Sequence, residues 1–158
     1  MSFFLMTLIF TACGGKLTEE VQSRYDNGQP KYVKYFTKGG ECVKETEFYE
    51  DGKVKMEGAM RDGHREGEWK AFFPDGKPQS IGSFKDGLRS GSSVVYYETG
   101  NIMMEGQYAE GKHVGVWKYY EETGNLLKEV DYGNADSKGK EEDRTDTQLK
   151  EYETPLSE

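Results

Sequence analysis

Apolar and polar residues alternate along short stretches of the chain, and glycine-rich turns separate these stretches. One face of the clearest stretch carries Val54, Met56, Gly58 and Met60. The opposite face carries Lys53, Lys55, Glu57 and Ala59. The same pattern returns at Ile102, Met104, Gly106 and Tyr108. Alternation of this kind is typical of a half-buried β-strand, and return strands are expected over about 68–73 and 116–120.

Glycine positions divide the chain into repeats of 24 residues. One series comprises Gly28, Gly52, Gly76, Gly100 and Gly124. A second comprises Gly39, Gly63, Gly87 and Gly111. Two further columns are Gly58, Gly82, Gly106 and Gly67, Gly91, Gly115. A constant period of this length indicates a repeat architecture, and four columns that share it are not expected by chance.

Each repeat reads as a β-hairpin, because pairs such as Asp62-Gly63 and Asp51-Gly52 are hairpin turn signals. Glycine suits these turns because it adopts positive φ without a Cβ penalty. The predicted structural turn glycines are Gly52, Gly63, Gly76, Gly87, Gly100, Gly111 and Gly124. These features together predict an all-β fold, an elongated single-layer antiparallel sheet of hairpins.

Glycines 58, 82 and 106 fall inside strands, where glycine is unfavourable by roughly 0.5–1 kcal/mol relative to alanine. We therefore expect rings of the Trp69 and Trp117 column to cover the bare backbone. In the first copy the glycine becomes Lys34 and the tryptophan becomes Glu45, and Lys128 replaces a methionine in the last. Polar residues at these positions fit capping of the terminal repeats.

Composition narrows the functional classes. Only 34% of the 158 residues are hydrophobic, which is too few for a thick core, although 11 Tyr, 8 Phe and 2 Trp are present. The formal net charge of −8 argues against a nucleic-acid partner, which requires a basic footprint. We therefore expect a thin sheet with an aromatic face and no nucleic-acid role.

The N-terminus resembles a bacterial lipoprotein signal. The apolar run of residues 3–10 leads to small residues before Cys13, as in the lipobox, although no Lys or Arg precedes the run. The resemblance implies a signal peptide over 1–12, lipidation at Cys13, a tether over 13–23, and export to the cell membrane or outer membrane. An ordinary buried N-terminal strand is the alternative. With Cys13 lipidated, Cys42 would be the remaining free thiol.

The aperiodic, charged stretch 134–158 is expected to be a disordered tail. The repeat region is therefore placed at 24–133, with about four to five repeats of which the terminal ones are eroded. Within it, the unit 97–120 resembles MORN repeats, and most closely the bacterial variant found in antitoxin-like proteins. That resemblance implies a hairpin sheet with one concave aromatic face, and scaffolding or protein binding, in some members linked to membranes.

Catalysis is not expected. His64 and His113 are the two histidines, and both are assigned to turns. No Cys/His spacing suggests a metal, and no cofactor is expected.

The candidate binding face comprises Phe72, Tyr96, Tyr120, Trp69 and Trp117. The predicted function is a membrane-anchored, non-enzymatic lipoprotein of the cell envelope that binds a protein, or a glycan, or acts as a scaffold; the alternative is an antitoxin-like protein that neutralises a toxin by binding.

Overall fold

The computed structural model describes residues 16–134, which form one sheet of ten strands. In chain order the strands are β1 (Thr18–Arg24), β2 (Pro30–Phe36), β3 (Cys42–Phe48), β4 (Val54–Arg61), β5 (His64–Phe72), β6 (Pro78–Lys85), β7 (Leu88–Tyr96), β8 (Ile102–Ala109), β9 (Lys112–Tyr120) and β10 (Leu126–Asp131).

The spatial order of the strands equals their order in the chain, and every neighbouring pair is antiparallel. Each hairpin therefore rests on the hairpins before and after it, as expected for a quasi-one-dimensional repeat protein. The predicted all-β sheet of hairpin repeats is confirmed.

Two kinds of turn alternate along the sheet. At one edge, two-residue turns place both central residues at positive φ, for example Asp62 at 50° and Gly63 at 80°, which is the type I′ pattern. At the other edge the loops are longer. Gly52 N–H donates to the Tyr49 carbonyl at 2.9 Å, and Gly52 has a φ of 84°. All seven predicted turn glycines have positive φ.

Two of the longer turns are closed by aspartate. In the turn after β3, Asp51 Oδ1 accepts a hydrogen bond from the Lys53 N–H at 3.1 Å, and Asp75 does the same for Lys77 at 2.9 Å. These backbone N–H groups hold the pKa of both carboxyls below the ordinary value. The Asp-Gly pair thus supplies both the acceptor and the positive φ that the turn requires.

Two boundaries differ from the sequence-based expectation. The turn between β2 and β3 uses Gly40, at a φ of 83°, and not Gly39, because this turn is of the longer kind. Residues 18–23, predicted as part of the tether, belong to β1, whose backbone pairs with β2 although all its side chains are exposed. The predicted signal peptide, Cys13 and nearly all of the predicted tail lie outside the described residues.

A β-bulge near the start of alternate strands changes which residues are buried. Val95 pairs with Met104 and Tyr96 pairs with Ile102, so Met103 is the extra residue. Met103 and Met104 are both buried in the same apolar cluster. The alternation had assigned Ile102 to that face, but Ile102 is only half-buried because the bulge breaks the two-residue period.

The tryptophans occupy the centre of the thin core, against glycine. Trp69 and Trp117 are 1% and 0% exposed. A Cβ added at Gly58 would overlap the Trp69 ring, and one added at Gly106 would overlap the Trp117 ring. Each indole N–H donates to the carbonyl that follows the covered glycine, Ala59 at 2.9 Å or Gln107 at 3.0 Å. The expected aromatic cover of strand glycines is therefore confirmed at both positions.

Tyrosines connect successive repeats at the edge with the longer turns. The Tyr25 hydroxyl donates to the Phe48 carbonyl, and the Tyr49 hydroxyl donates to the Phe72 carbonyl. The Tyr97 hydroxyl donates in the same way to the Tyr120 carbonyl at 2.8 Å. Phe73, at the equivalent position, has no hydroxyl. These bonds join residues 23 apart and add to the strand pairing.

We predict that Gly58→Ala destabilises the sheet by about 1–3 kcal/mol, because the added methyl group displaces the Trp69 ring. Thermal unfolding followed by tryptophan fluorescence measures this. Gly39→Ala is the matched control, because Gly39 lacks positive φ and its nearest neighbour, Thr37 Oγ1, lies 3.6 Å from an added Cβ. Equal melting temperatures for the two variants would contradict the packing account.

We also predict that Tyr49→Phe lowers the free energy of unfolding by about 0.5–1.5 kcal/mol through the lost hydrogen bond. Burial raises the pKa of Tyr49 above the ordinary value of 10.0. Its contribution is therefore complete below pH 10 and lost as the pH rises through the folded pKa. Denaturant unfolding from pH 8 upward should show a smaller alkaline loss in Tyr49→Phe than in wild type, whereas an unchanged loss would exclude Tyr49 as its source.

Candidate functional site

The two faces of the sheet differ in character. We call the face that carries Trp69, Ala71, Phe84 and Trp117 the inner face, because its side chains form the buried clusters. Strand residues alternate between faces. Phe72, which follows Ala71, therefore lies on the opposite, outer face. The longest row of cationic and aromatic side chains lies on the inner face, toward the edge with the two-residue turns.

Cationic and aromatic side chains alternate along this part of the inner face. The Arg65 guanidinium lies 4.3 Å from the ring centroid of Trp69 and 5.6 Å from that of Phe84. The Arg89 guanidinium lies 5.8 Å from the Phe84 centroid and 5.0 Å from that of Tyr108. Cations in such positions are attracted to the ring faces. We call this row the cation–aromatic ladder.

His113 continues the ladder where the next arginine would stand. Its ring centroid is 4.1 Å from that of Trp117 and 4.8 Å from those of Tyr108 and Tyr132. Its Nε2 atom also lies 2.9 Å from the Tyr108 hydroxyl oxygen. The ladder therefore runs from β5 to the end of β10. It has Arg65, Arg89 and His113 at the same place in three successive hairpins.

An ion pair replaces the glycine–tryptophan contact at the end of the ladder nearest the N-terminus. The position occupied by Gly58 and Trp69 in one hairpin is occupied by Lys34 and Glu45 in the first, and these two charged groups pair at 3.2 Å. Glu45 is only 8% exposed. The expected capping substitution is therefore an ion pair. It places an acidic residue beside the first arginine of the ladder.

The pKa values of Arg65 and Tyr32 reflect their burial and their proximity to Glu45. Burial lowers the pKa of the Arg65 guanidinium, while the charge of Glu45 opposes that shift. Burial, followed by a hydrogen bond to Glu45, raises the pKa of Tyr32. Arg65 remains charged at neutral pH, since an arginine loses its proton only far above that range. Positive charge is therefore held in a partly desolvated place, where ion pairs are strengthened.

A groove of about 680 Å³ follows the ladder across the strands. Its walls include Tyr32, Glu45, Glu47, Met56, Met60, His64, Arg65, Trp69, Phe84, Leu88, Arg89 and Tyr108. Leu88 is 52% exposed, which places an apolar side chain at the rim. The groove thus combines arginines, aromatic rings and, at one end, carboxylates. This set can hold an extended chain with acidic side chains.

The five residues predicted as a binding face do not share one face. Trp69 and Trp117 are buried on the inner face, beneath the ladder. Phe72, Tyr96 and Tyr120 lie half-buried on the outer face. The indoles are covered because they cap the strand glycines, so their role is to support the groove.

The outer face also carries charged side chains in pairs. The Tyr120 hydroxyl donates to Glu105 at 2.7 Å, and this hydrogen bond raises the pKa of Tyr120. Lys44 pairs with Glu57 at 2.6 Å. The ion pair between Lys70 and Glu68, at 2.8 Å, is also exposed. Exposed pairs of this kind contribute little to stability.

The sequence-based interpretation missed the ladder arginines. It assigned His64 and His113 to turns, whereas the structure places both of them, and Arg65, in strands, because the loops that precede β5 and β9 contain only two residues. The sequence does contain one sign of the ladder, because Arg65, Arg89 and His113 occupy the same column of the 24-residue repeat. All three can carry positive charge, and each lies four residues before Trp69, Ser93 or Trp117.

No group of three or more metal-ligating side chains occurs within residues 16–134. In that same range, no helix is long and apolar enough to cross a membrane. Cys42 is half-buried, and its Sγ atom lies 3.6 Å from the Lys44 carbonyl oxygen.

An architecture of stacked hairpins with a glycine-supported tryptophan column defines a class of β-repeat proteins. Within this class the chain belongs to the MORN repeat variant family, whose model matches residues 42–60, 65–86, 89–110 and 114–134. The resemblance to MORN repeats is thereby confirmed, and β1 and β2 precede the first matched repeat. Such repeats form protein- or membrane-binding modules.

Two solved structures are similar to parts of the sheet. The first, described as the Glycosylation Associate Protein (Gap123) complex from Streptococcus agalactiae, is 16% identical with a TM-score of 0.42, over 65% of this chain and 18% of that chain. The second, described as TarM, is 18% identical with a TM-score of 0.43, over 73% of this chain and 21% of that chain. This chain therefore aligns with about a fifth of each. No curated protein matches it significantly.

We predict that Arg65→Lys destabilises the protein by about 0.5–2 kcal/mol and changes the Trp69 emission, because an ammonium cannot stack as a planar guanidinium does. Denaturant unfolding with a fluorescence readout measures both effects. Arg61→Lys is the matched control, since Arg61 is exposed and forms a surface ion pair with Glu66. A smaller effect for Arg65→Lys than for the control would contradict a structural role of the stack.

Proposed function

We propose that this protein is a non-enzymatic binding module of the bacterial cell envelope, anchored through a lipid at Cys13, which holds an extended segment of a partner protein in its inner-face groove. The cation–aromatic ladder is the single observation that carries the binding part of the proposal. Planar guanidinium groups bind carboxylates with two hydrogen bonds. The surrounding rings and Leu88 supply apolar contact area.

The geometry supports a chain-like partner. The groove crosses several strands and is lined from β2 to the turn after β8. Strands lie about 4.8 Å apart. Arg65 and Arg89, two strands apart, are therefore separated by about 10 Å, which equals about three residues of an extended peptide. A peptide with acidic side chains three residues apart would reach both arginines.

The anchor rests on the lipobox resemblance before Cys13. A diacylglycerol group would hold the sheet at the membrane surface, since each buried methylene contributes about 0.8 kcal/mol and two or more chains give stable attachment. Neutralisation of a toxin is the alternative, and it would use the same groove. Export separates the two, because an antitoxin for an intracellular toxin would have to stay inside the cell.

We expect labelled palmitate to be incorporated into the wild-type protein and not into Cys13→Ala. Cys42→Ala is the matched control and should be labelled like wild type, because Cys42 lies in β3. Labelling and membrane fractionation are measured in the same bacterial cells. Equal labelling of Cys13→Ala, or wild type found only among cytoplasmic proteins, would reject the anchor.

For the groove, we expect a photo-crosslinking residue at His64 to capture a defined partner in cells, and one at Tyr96 not to. His64 lines the groove, whereas Tyr96 lies on the outer face. Adding Arg65→Met and Arg89→Met to the His64 variant should abolish the adduct, because the carboxylate-binding groups are lost. Capture from Tyr96 alone would move the binding site to the outer face.

A further inference from the structure

We propose that the open edge of β10 binds an extended segment of a partner protein as an additional strand, antiparallel to β10, in which apolar residues alternate with lysine or arginine. Within residues 16–134, β10 is the last strand of the sheet and pairs with β9 alone. The groove is lined by residues from β2 to the turn after β8. The β10 edge is therefore a separate surface, and binding there does not depend on what the groove binds.

Apolar positions that are covered in the preceding repeat are exposed on β10. Ile102 is half-buried and Met103 is 7% exposed at the start of β8, which has β9 beside it. The same two positions, one repeat later, hold Leu126 and Leu127, which are 53% and 60% exposed. No strand follows β10 in the part of the chain that the structure describes. A strand added at this edge would therefore cover leucine side chains that now face solvent.

The apolar side chains near this edge lie on both faces of the sheet. Leu126 and Val116 are on the outer face, and Val116 is 48% exposed. On the inner face, beside the exposed Leu127, Val130 and Tyr132 pack against the buried cluster of β7 to β9 and are only half-buried. Successive side chains of a strand point to opposite faces. One added strand would therefore cover both groups, whereas a helix laid on one face would cover only one of them.

The three charged side chains of β10 interact with the sheet itself. Lys128 Nζ lies 4.8 Å from the ring centroid of Tyr119 on β9, and the Glu129 carboxylate lies 3.8 Å from Lys118 Nζ, also on β9. Asp131 Oδ1 accepts a hydrogen bond, at 2.8 Å, from the backbone N–H two residues later. Charged side chains that extend from an edge strand are a common protection against strand pairing. Here these interactions leave the β10 backbone accessible.

The backbone N–H groups of Glu129 and Asp131 face the open edge. The Tyr132 N–H donates to the Gly115 carbonyl on β9 at 2.9 Å. Pairing with β9 is regular after the bulge in β10, and N–H direction alternates along a strand. The Val130 N–H therefore also faces β9, and its two neighbours point away from it. Such outward groups supply the main-chain hydrogen bonds by which an added strand binds.

The side chains at this edge define the chemistry of the added strand. Val130 lies on the inner face, so an apolar residue is favoured opposite it, because apolar cross-strand pairs stabilise a sheet. Glu129 and Asp131 flank it on the outer face, and both are exposed. Opposite charges are favoured across from them. The complementary segment therefore has apolar residues at alternate positions and lysine or arginine between them.

A second copy of this chain fits the edge less well. In a two-fold symmetric pair of β10 strands with their inner faces on the same side, like charges meet in each central register. Lys128, Glu129 or Asp131 lies opposite its own copy, or Glu129 lies opposite Asp131 when Val130 is at the centre. Like charges directly opposite each other are destabilising. β1 of a second copy carries one apolar residue, Val21, and so could not cover the apolar side chains. A different protein is therefore the favoured partner.

The test is a titration of the isotope-labelled full chain with a blocked peptide of alternating valine and lysine, about seven residues long like an ordinary strand. Cys13→Ala is included so that the chain is uniform whether or not lipid is attached. We expect amide shift changes confined to β9 and β10. At saturation, the amide exchange of Glu129 and Asp131 should slow by about tenfold or more, because a hydrogen-bonded amide exchanges only when the structure opens locally.

Two peptides of the same length are the matched ligand controls. One has the same composition with the valines and lysines in two blocks, so it cannot present apolar side chains to one face and basic ones to the other. The second alternates valine with glutamate and places carboxylates opposite Glu129 and Asp131. Both should bind at least about tenfold more weakly than the alternating valine–lysine peptide, since like-charge and mismatched cross-strand pairs are unfavourable.

A proline at the edge tests the strand geometry. Glu129→Pro removes an N–H that faces the open edge and leaves those that bond to β9, as proline at an edge strand permits. We expect Glu129→Pro to abolish peptide binding. Glu129→Ala is the matched control, because it removes the same carboxylate and keeps the N–H, and it should weaken binding far less. Thermal unfolding of both variants verifies that the sheet is intact, and the exchange measurement on the unsubstituted edge needs neither variant.

Three results would overturn the proposal. Equal binding of the alternating and block peptides would remove the strand geometry, and shift changes centred on β5 to β7 would move the site to the groove. Slow exchange of the Glu129 and Asp131 amides before any peptide is added would mean that the edge is already covered. Dependence of that exchange on protein concentration would then identify a second copy as the cover, and independence would identify the chain itself.

Discussion

The contact between a tryptophan ring and a bare strand glycine is the constraint on which the rest of the sheet depends. A single layer of strands has no second sheet to cover it, so the indole of Trp69 or Trp117 must cover the backbone of the adjacent strand. This requires glycine beneath the ring. It also requires a carbonyl for the buried indole N–H, and the residue after that glycine supplies it.

The inner-face groove follows from the same constraint. Once the indoles lie flat against the sheet, their outer surfaces are available to the side chains four residues earlier, and Arg65 and His113 stack there. The middle hairpin has Ser93 in place of a tryptophan, and Arg89 stacks between Phe84 and Tyr108. The tryptophan–glycine contact, which stabilises the sheet, thus also positions the cationic side chains. For this reason Arg65 and His113, and not the indoles beneath them, present their polar groups on the inner face.

The glycine period and the Asp-Gly turns made the hairpin sheet predictable, because positive φ at a tight turn is a local requirement of the backbone. The cover of Gly58 was predictable for a similar reason, since a glycine inside a strand needs a neighbour. The faces were less predictable. The bulge at Met103 breaks the two-residue period, and β1 is a strand only because β2 offers hydrogen bonds to an otherwise exposed, polar segment.

By itself, the sequence determined the fold class, the repeat length, the turn positions after β3 and the glycine–tryptophan pairing, all of which depend on local backbone geometry or on a fixed spacing. Only the tertiary structure decided that Arg65, Arg89 and His113 form one ladder, and that Phe72, Tyr96 and Tyr120 face away from it. Those relations join residues 24 apart through side-chain stacking. Their geometry depends on strand register and bulges, which alternation and column spacing do not specify.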